Sequence, residues 1–276
     1  MSVLLLSLAA LGALLGVALL AYGLRELGLA HRIFAREPHT VLDTPNDGFV
    51  ELSGTVLAWD DVLESPFTET GCVAVEYTVE EKRRKSTNNG SRTKWVEIDG
   101  GTRVVPFRLE DETGNVLVDP QGADLRLTVD TRIRVEGGEA PPAPIARYIE
   151  RDEDVSDENT SLSLGPLEIS TGRDRRYLER RLDLGEAVHL LGTARRDTTA
   201  SRETGQVNAV VERSVPPEPG LLARVRHRLL GPPFLLFDVT DRRAALRVAV
   251  RGLVSALAGV LFLALSLSFA VGVGGI

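Results

Sequence analysis

The sequence predicts an integral membrane protein in which two transmembrane helices flank a β-rich (α+β) soluble domain. Uncharged apolar runs lie at both ends of the 276 residues, and each is long enough to cross a bilayer. All charged side chains lie between these runs. There, short alternating segments are separated by Gly, Pro, Asn and Asp, a pattern typical of strands joined by turns.

Residues 1–24 form the first predicted transmembrane helix. A run of about 20 apolar residues, each rising 1.5 Å, would span about 30 Å, which matches a bilayer core. A cleaved signal peptide is the alternative. However, no Lys or Arg precedes the run, and the run is longer than a usual signal-peptide core. We therefore expect this helix to be retained in the membrane.

Residues 25–215 form the predicted soluble domain. Alternating apolar residues predict strands at 49–59, 72–83, 93–98, 103–109, 115–118, 125–135, 186–195 and 206–213, which would form one sheet. Asn88-Asn89-Gly90 predicts a hairpin turn between the second and third of these strands. Residues 173–184 fit either a helix or an extended arm. A short helix is predicted at 145–149, followed by an acidic surface segment at 150–158.

Residues 216–251 form a predicted juxtamembrane region with a basic amphipathic helix on the membrane surface, whose apolar face contains Leu221, Val225 and Leu229. The second transmembrane helix follows at residues 252–276. Basic residues flank both spans on the side of the soluble domain, namely Arg25, Arg32, Arg36, Arg242, Arg243, Arg247 and Arg251. The positive-inside rule therefore predicts a cytoplasmic soluble domain, with both termini on the opposite side.

Small residues recur at four-residue spacing within the spans, at Gly12 and Gly16 and at Ala264, Ser268 and Gly272. Such faces allow helices to approach closely and would permit a homo-oligomer. The alternative, which we favour, is that they reflect only a composition rich in Gly and Ala.

Composition excludes several classes of function. The chain has 32 Lys and Arg against 39 Asp and Glu, a net charge of −7, so we expect no nucleic-acid partner. Cys72 is its only cysteine, which excludes an intrachain disulfide, a CxxC zinc pair and an iron–sulfur ligand set. Glycine-rich nucleotide loops are also absent, so no cofactor is expected. The scarcity of Lys and aromatic residues resembles the composition of salt-adapted (halophile-like) proteins or of proteins from GC-rich genomes.

No catalytic, cofactor-binding or metal-binding residue is predicted. Cys72 lies on a predicted strand as a buried structural thiol, and His189 is its one credible catalytic partner. The basic run Lys82-Arg83-Arg84-Lys85 either contacts anionic lipid or an acidic partner or, as we favour, is a solvated hairpin end. Asp60-Asp61 and the acidic residues at 110–112 are expected in turns.

The order of several motifs resembles a known family. The first span is followed by Gly54-Thr55-Val56, Ser65-Pro66-Phe67 and Cys72-Val73-Ala74-Val75-Glu76-Tyr77. Next come Trp95, the segment 105–114, Val118-Asp119-Pro120 and the segment 234–243 before the second span. Over roughly residues 1–276, this order resembles the GIDE/MULAN family of membrane-anchored E3 ubiquitin ligases, whose domain between the spans is called the beside-a-membrane domain.

The resemblance implies either of two functions. In eukaryotic members a cytosolic RING finger with eight Cys or His zinc ligands follows the second span, whereas this sequence has five Cys and His residues in total. We therefore expect a non-catalytic binding or scaffold module whose partners are the lipid bilayer and an unidentified protein or lipid head groups. The alternative is an E3 ubiquitin-protein transferase, or its adaptor, acting with ubiquitin or a ubiquitin-like protein. Organellar members keep this domain in an intermembrane space, which leaves a second topology open.

Overall fold

The computed structural model describes residues 2–35, 39–44, 47–87, 90–151, 161–164, 167–170, 172–200, 205–215, 220, 223, 227, 231–238 and 242–274. These residues form two compact units. One comprises Met1–Glu37 and Thr240–Ile276, and the other comprises Pro38–Val239. The helices are α1 (Ser2–Ala35), α2 (Ala143–Arg151) and α3 (Arg242–Gly274).

Two apolar helices flank a β-rich domain, which confirms the predicted fold class. In α1, the segment Ser7–Gly28 is long and apolar enough to cross a membrane, and so is Ala249–Ala270 in α3. The two helices run antiparallel, because Gly12 of α1 faces Ser266 whereas Gly23 faces Ala256.

Small residues set the distance between α1 and α3. A Cβ atom at Gly259 would lie 2.5 Å from the backbone nitrogen of Leu20, and one at Gly16 would lie 3.0 Å from the Gly259 carbonyl oxygen. Both distances are too short for a side chain without separating the backbones. The view that the small residues reflect only composition is therefore wrong for Gly16, whereas the atom nearest to Gly12 is the end of the flexible Ser266 side chain. Their neighbours on α3 include Gly259 and Ser266, residues outside the small-residue set predicted for that helix.

We expect Gly259→Leu to separate α1 from α3. A Cβ built at Gly12 lies 3.8 Å from the Cβ of Ser266, the usual spacing in a disulfide, so a Gly12→Cys/Ser266→Cys pair should oxidise readily. Adding Gly259→Leu should reduce that crosslink several-fold, measured by gel shift in the membrane-embedded chain. Gly28→Leu is the matched control, because the space around Gly28 is open. Equal crosslinking in both variants would contradict the close contact at Gly259.

The fourteen described strands belong mainly to two sheets, so the single predicted sheet is wrong. The strands are β1 (Asp47–Ala58), β2 (Leu63–Glu64), β3 (Gly71–Thr87), β4 (Gly90–Val104), β5 (Phe107–Asp111), β6 (Gly114–Val118), β7 (Asp124–Arg126), β8 (Thr131–Val135), β9 (Ser161–Leu164), β10 (Leu167–Ser170), β11 (Arg175–Asp183), β12 (Ala187–Arg196), β13 (Gln206–Glu212) and β14 (Leu235–Phe237).

The first sheet has the order β1-β5-β6-β13-β12-β14-β7, and β1 also pairs with β12. Strands β1, β5, β6, β13 and β12 therefore form a closed ring whose interior is an apolar core. Val50, Leu52 and Val56 point into this core, as the alternation in β1 predicts.

The second sheet has the order β2-β3-β11-β8, with β4 also paired to β3. Its own core contains Phe67, Val79 and Tyr177, together with Ile145 and Ile149 of α2. Strand β3 links the two cores, because its residues Val73 and Ala74 pack in the core of the ring. Four consecutive residues from Cys72 to Val75 are consequently buried, a feature that simple alternation does not predict.

Three segment predictions need correction. Residues 173–184 are the extended strand β11 between β3 and β8, so the helix alternative is wrong; carboxylates of β3 pair with the strand's arginines. The segment 103–109 breaks at Pro106, which has no amide proton for the ladder. The segment 125–135 divides into β7 and β8, which lie in different sheets. The acidic segment 150–158 and the helix at 221–230 lie largely outside the described residues. Within the predicted juxtamembrane region 216–251, however, residues 235–237 are strand β14 of the first sheet and so belong to the β-rich domain.

Candidate functional site

Cys72 lies on β3 in a position that disfavours thiolate chemistry. The residue is fully buried and pairs with Leu63 of β2 and Asp183 of β11. Burial, aided by the negative charge of Asp183 and opposed by Arg181, raises the pKa of the thiol to about 12. The sequence prediction of a buried cysteine is confirmed, and its thiol is protonated at neutral pH.

We expect Cys72 to resist alkylation in the folded chain. With a pKa near 12 and no exposed surface, the thiol should react with iodoacetamide at least ~100-fold more slowly than a free cysteine. Mass spectrometry of the intact protein, before and after denaturation, measures this difference. An exposed variant such as Asn208→Cys serves as the reactive control, since Asn208 is exposed on β13. Rapid single labelling of the native wild-type chain would contradict the prediction.

His189 does not pair with Cys72. Its Nδ1 atom lies 2.6 Å from Ser53 Oγ, and its Nε2 atom lies 3.0 Å from Glu51 Oε1. Ser53 faces His189 directly in the β1–β12 ladder, and Glu51 lies two residues before it on the same face of β1. Glu51 and His189 are 2% and 8% exposed.

The serine, histidine and glutamate are the residue types of a hydrolytic triad, but they lie in mid-strand as a cross-strand polar cluster. Their hydrogen bonds satisfy groups that would be costly to bury alone. This cluster leaves no signal in the sequence, because no local pattern links residues that are 136 positions apart.

A buried carboxylate holds the loop between β2 and β3. Glu179 of β11 is fully buried and accepts hydrogen bonds from the Phe67 amide at 2.6 Å and from the Thr68 hydroxyl at 2.7 Å. Arg181 is 3.1 Å from the same carboxylate. At the loop's far end Glu69 has the left-handed φ of 54° and pairs with Arg147 of α2. The loop is therefore fixed by ionic contacts on both sides.

Strands β3 and β4 form a long hairpin that carries the basic run. Residues 82–94 contain Lys82, Arg83, Arg84, Lys85, Arg92 and Lys94 and no Asp or Glu. The predicted hairpin is confirmed, since Thr87 pairs with Gly90 at its end. On one face Lys82 pairs with Asp174 at 2.9 Å, and Arg176 stacks on Trp95 with its guanidinium carbon 4.7 Å from the ring centroid.

On the opposite face of the hairpin, one buried carboxylate contacts three arginines. Glu81 is 3% exposed and lies 2.8 Å from Arg83, 2.7 Å from Arg173 and 3.9 Å from Arg175. Burial alone would raise the pKa of Glu81, but the hydrogen bonds from Arg83 and Arg173 outweigh it and leave the pKa below its ordinary value. One negative charge thus faces three guanidinium groups.

Asp174 gives the domain a measurable acid sensitivity. The hydrogen bond from Lys82, supported by Arg134 and the Gly137 amide, lowers its pKa from 3.8 to about 2. A carboxylate whose pKa is lowered on folding stabilises the fold above its unfolded pKa, and this contribution is lost as the pH falls through the folded value. The contribution of Asp174 should therefore disappear between about pH 4 and pH 2.

We expect Asp174→Asn to reduce the fall in the free energy of unfolding at acid pH. The variant should lose about 1–2 kcal/mol at pH 7 and show a weaker decline towards pH 2 than the wild type. Urea titrations of the detergent-solubilised chain, followed by tryptophan fluorescence, measure both quantities. Asp61→Asn, at an exposed position, should leave the wild-type profile unchanged. Parallel pH profiles for wild type and Asp174→Asn would overturn the assignment.

Of the other acidic residues predicted in turns, Glu110 and Asp111 instead end strand β5, and Glu112 lies in the turn that follows. Asp60 and Asp61 are exposed, and Asp111 accepts hydrogen bonds from the Val41, Thr113 and Gly114 amides. Within the described ranges, no group of three or more His, Cys, Asp or Glu residues is placed to hold a metal ion.

Comparison with known families gives one match. Residues 76–206 match the model of the GIDE family, described as E3 ubiquitin ligase. Comparison with curated proteins and with solved structures found no match. The folded unit extends beyond the matched range, because β1 and β14 complete the first sheet and Phe67 and Thr68 bind Glu179.

Proposed function

Because the chain carries a GIDE-family domain at residues 76–206, we propose that it is a membrane-anchored binding or scaffold protein that does not itself transfer ubiquitin. The surroundings of its cysteine and histidine side chains support this proposal. A ligase either passes ubiquitin through a reactive cysteine or uses zinc-held loops to position a conjugating enzyme. The first route needs an accessible thiolate, and the second needs a set of zinc ligands.

Neither route is supported by these 276 residues. Cys72 is buried with a pKa of about 12, and the sequence has one Cys and four His against the eight ligands of a RING. His189 is committed to Ser53 and Glu51, and His227 contacts Ser214. The histidines with described side-chain contacts therefore have separate structural partners.

A membrane location with the domain in the cytoplasm completes the proposal. The two long apolar helices support the membrane anchor, and the arginines beside the spans support the orientation. In the Asn208→Cys variant, a membrane-impermeant maleimide should label inverted membrane vesicles and leave right-side-out vesicles unlabelled. Cys72 should not contribute, because it is buried. The reverse labelling pattern would overturn the orientation.

Reconstituted ubiquitin transfer tests the central claim. The full chain in detergent is incubated with ubiquitin, ATP, an activating enzyme and a panel of conjugating enzymes. We expect no conjugates beyond those of a reaction without the chain, and Cys72→Ser should behave identically. Conjugates that require the chain would overturn the proposal.

In-cell crosslinking and affinity purification test the binding role. We expect specific protein or lipid partners that carry no modifier. Recovery of a RING protein or a conjugating enzyme, with modified lysines on its neighbours, would favour the ligase-adaptor alternative, which the family description supports. Recovery of lipid alone would contradict a scaffold for proteins and leave membrane binding as the role of the domain.

A further inference from the structure

The β3–β4 hairpin presents an arrangement of charge that does not serve its own stability. In the ladder Arg83 faces Lys94 and Lys85 faces Arg92, so two pairs of like charges stand directly opposite each other. Such pairs destabilise a hairpin. A chain with a net charge of −7 nevertheless concentrates six cations in this one ribbon.

The two faces of the ribbon differ in how their charges are balanced. The face that holds Lys82 is tied to the sheet by Asp174 and by the Arg176–Trp95 stack. On the other face, which we call the cationic face, Glu81 is shared among Arg83, Arg173 and Arg175. Further along this face Arg92 and Lys94 are exposed and, among the described residues, form no ion pair. Within the part of the chain that the structure describes, the cations of this face without an ion pair are therefore Arg92 and Lys94, near the end of the hairpin.

We propose that the cationic face, formed by Arg83, Arg92 and Lys94, docks on the anionic head groups of a membrane. The proposal rests on the proposed function and names one ligand for it. Few residues separate Ala35 of α1 from His39, or Phe237 of β14 from Arg242 of α3, so both ends of the domain are attached directly to the apolar helices. A bilayer surface is consequently always available to this domain.

The chemistry of the face fits a lipid surface better than a protein or a nucleic acid. Protein interfaces depend on buried aromatic or aliphatic anchors, and the one aromatic side chain in this part of the ribbon, Trp95, is on the opposite face beneath Arg176. Single-stranded nucleic acid needs exposed aromatic platforms, which the cationic face also lacks. An extended array of Arg and Lys without a pocket suits a diffuse layer of lipid phosphates.

Energy transfer to labelled head groups tests the docking. Thr93 is exposed and pairs with Arg84, away from the cationic face, so a donor dye on Thr93→Cys reports hairpin position without blocking it. The full chain is placed in nanodiscs of phosphatidylcholine, alone or with phosphatidylglycerol at a 7:3 ratio, with an acceptor on the head groups. We expect higher transfer with the anionic lipid and loss of the increase at high salt.

The Arg92→Gln/Lys94→Gln variant should lower the equilibrium constant for docking about 30-fold, at roughly fivefold for each cation removed. It leaves the contacts of Glu81 intact, so the fold is preserved. Arg132→Gln/Arg196→Gln, which removes the same charge from exposed positions elsewhere, should have little effect.

Equal energy transfer in the two lipid compositions would overturn the proposal, and so would an equal loss of energy transfer in the two variants. The proposal would also be overturned if the Arg92→Gln/Lys94→Gln variant lost a crosslink to an acidic protein while its energy transfer to the lipid stayed unchanged. Energy transfer to lipid does not depend on ubiquitin. Ubiquitin conjugates in the reconstituted reaction would therefore overturn the proposed function and leave the docking proposal standing.

Discussion

Replacing Glu179 by Gln is expected to lower the free energy of unfolding of the β-rich domain by about 3 kcal/mol. The carboxylate is fully buried and accepts hydrogen bonds from the Phe67 amide and the Thr68 hydroxyl, with Arg181 beside it. An amide cannot accept all of these bonds, and its NH₂ group meets donors rather than acceptors. Chemical denaturation of the detergent-solubilised chain, followed by tryptophan fluorescence, gives the value.

A double-mutant cycle separates the contribution of the Thr68–Glu179 hydrogen bond from the other effects of Glu179→Gln. Thr68→Val alone should cost about 1 kcal/mol, and it should cost less when Glu179 is already Gln, because their shared bond is then lost. Glu112→Gln, at an exposed turn position, is the matched control and should change stability by less than about 0.5 kcal/mol. If the buried and exposed variants were equally stable, Glu179 would not hold the loop.

The sequence predicted those features that local patterns encode. The uncharged runs of α1 and α3, the alternation of Val50, Leu52 and Val56, and the turn after Thr87 all follow from residues close together in the chain. Glu179 is different, because it lies in an arginine-rich segment whose charges hide the strand pattern. Its partners Phe67 and Thr68 are 112 and 111 positions away, so only the pairing of β3 with β11 brings them together.

The same limit applies to the candidate sites. Sequence identified Cys72 and the basic run, but the partners that determine their chemistry come from distant strands. Asp183 of β11 sets the environment of Cys72, and Arg173 joins Arg83 at Glu81 across 92 positions. A basic run by itself predicts charge, whereas the unequal balance of the two hairpin faces requires the register of β3, β4 and β11.

Phe67→Ala is expected to destabilise the domain by about 3–5 kcal/mol, the other large effect of a single substitution. The Phe67 ring is 1% exposed and makes edge-to-face contacts with Tyr77, Tyr148 and Tyr177 at centroid distances of 5.8, 5.0 and 5.1 Å. Its removal leaves a cavity at the centre of the second core. It also removes the apolar anchor of the loop whose amide binds Glu179.

A comparison with Phe67→Leu separates the volume of this ring from its aromatic contacts. Leu refills most of the space, so Phe67→Leu should cost less than Phe67→Ala, about 2–3 kcal/mol, most of it from the three lost edge-to-face pairs at about 0.5–1.5 kcal/mol each. Val62→Ala, at a 45% exposed position in the same loop region, should cost much less than Phe67→Ala. Equal losses for Leu and Ala would mean that ring contacts, rather than packing volume, hold the loop. Near-wild-type stability of Phe67→Ala would instead show that the second core forms without the aromatic ring of residue 67.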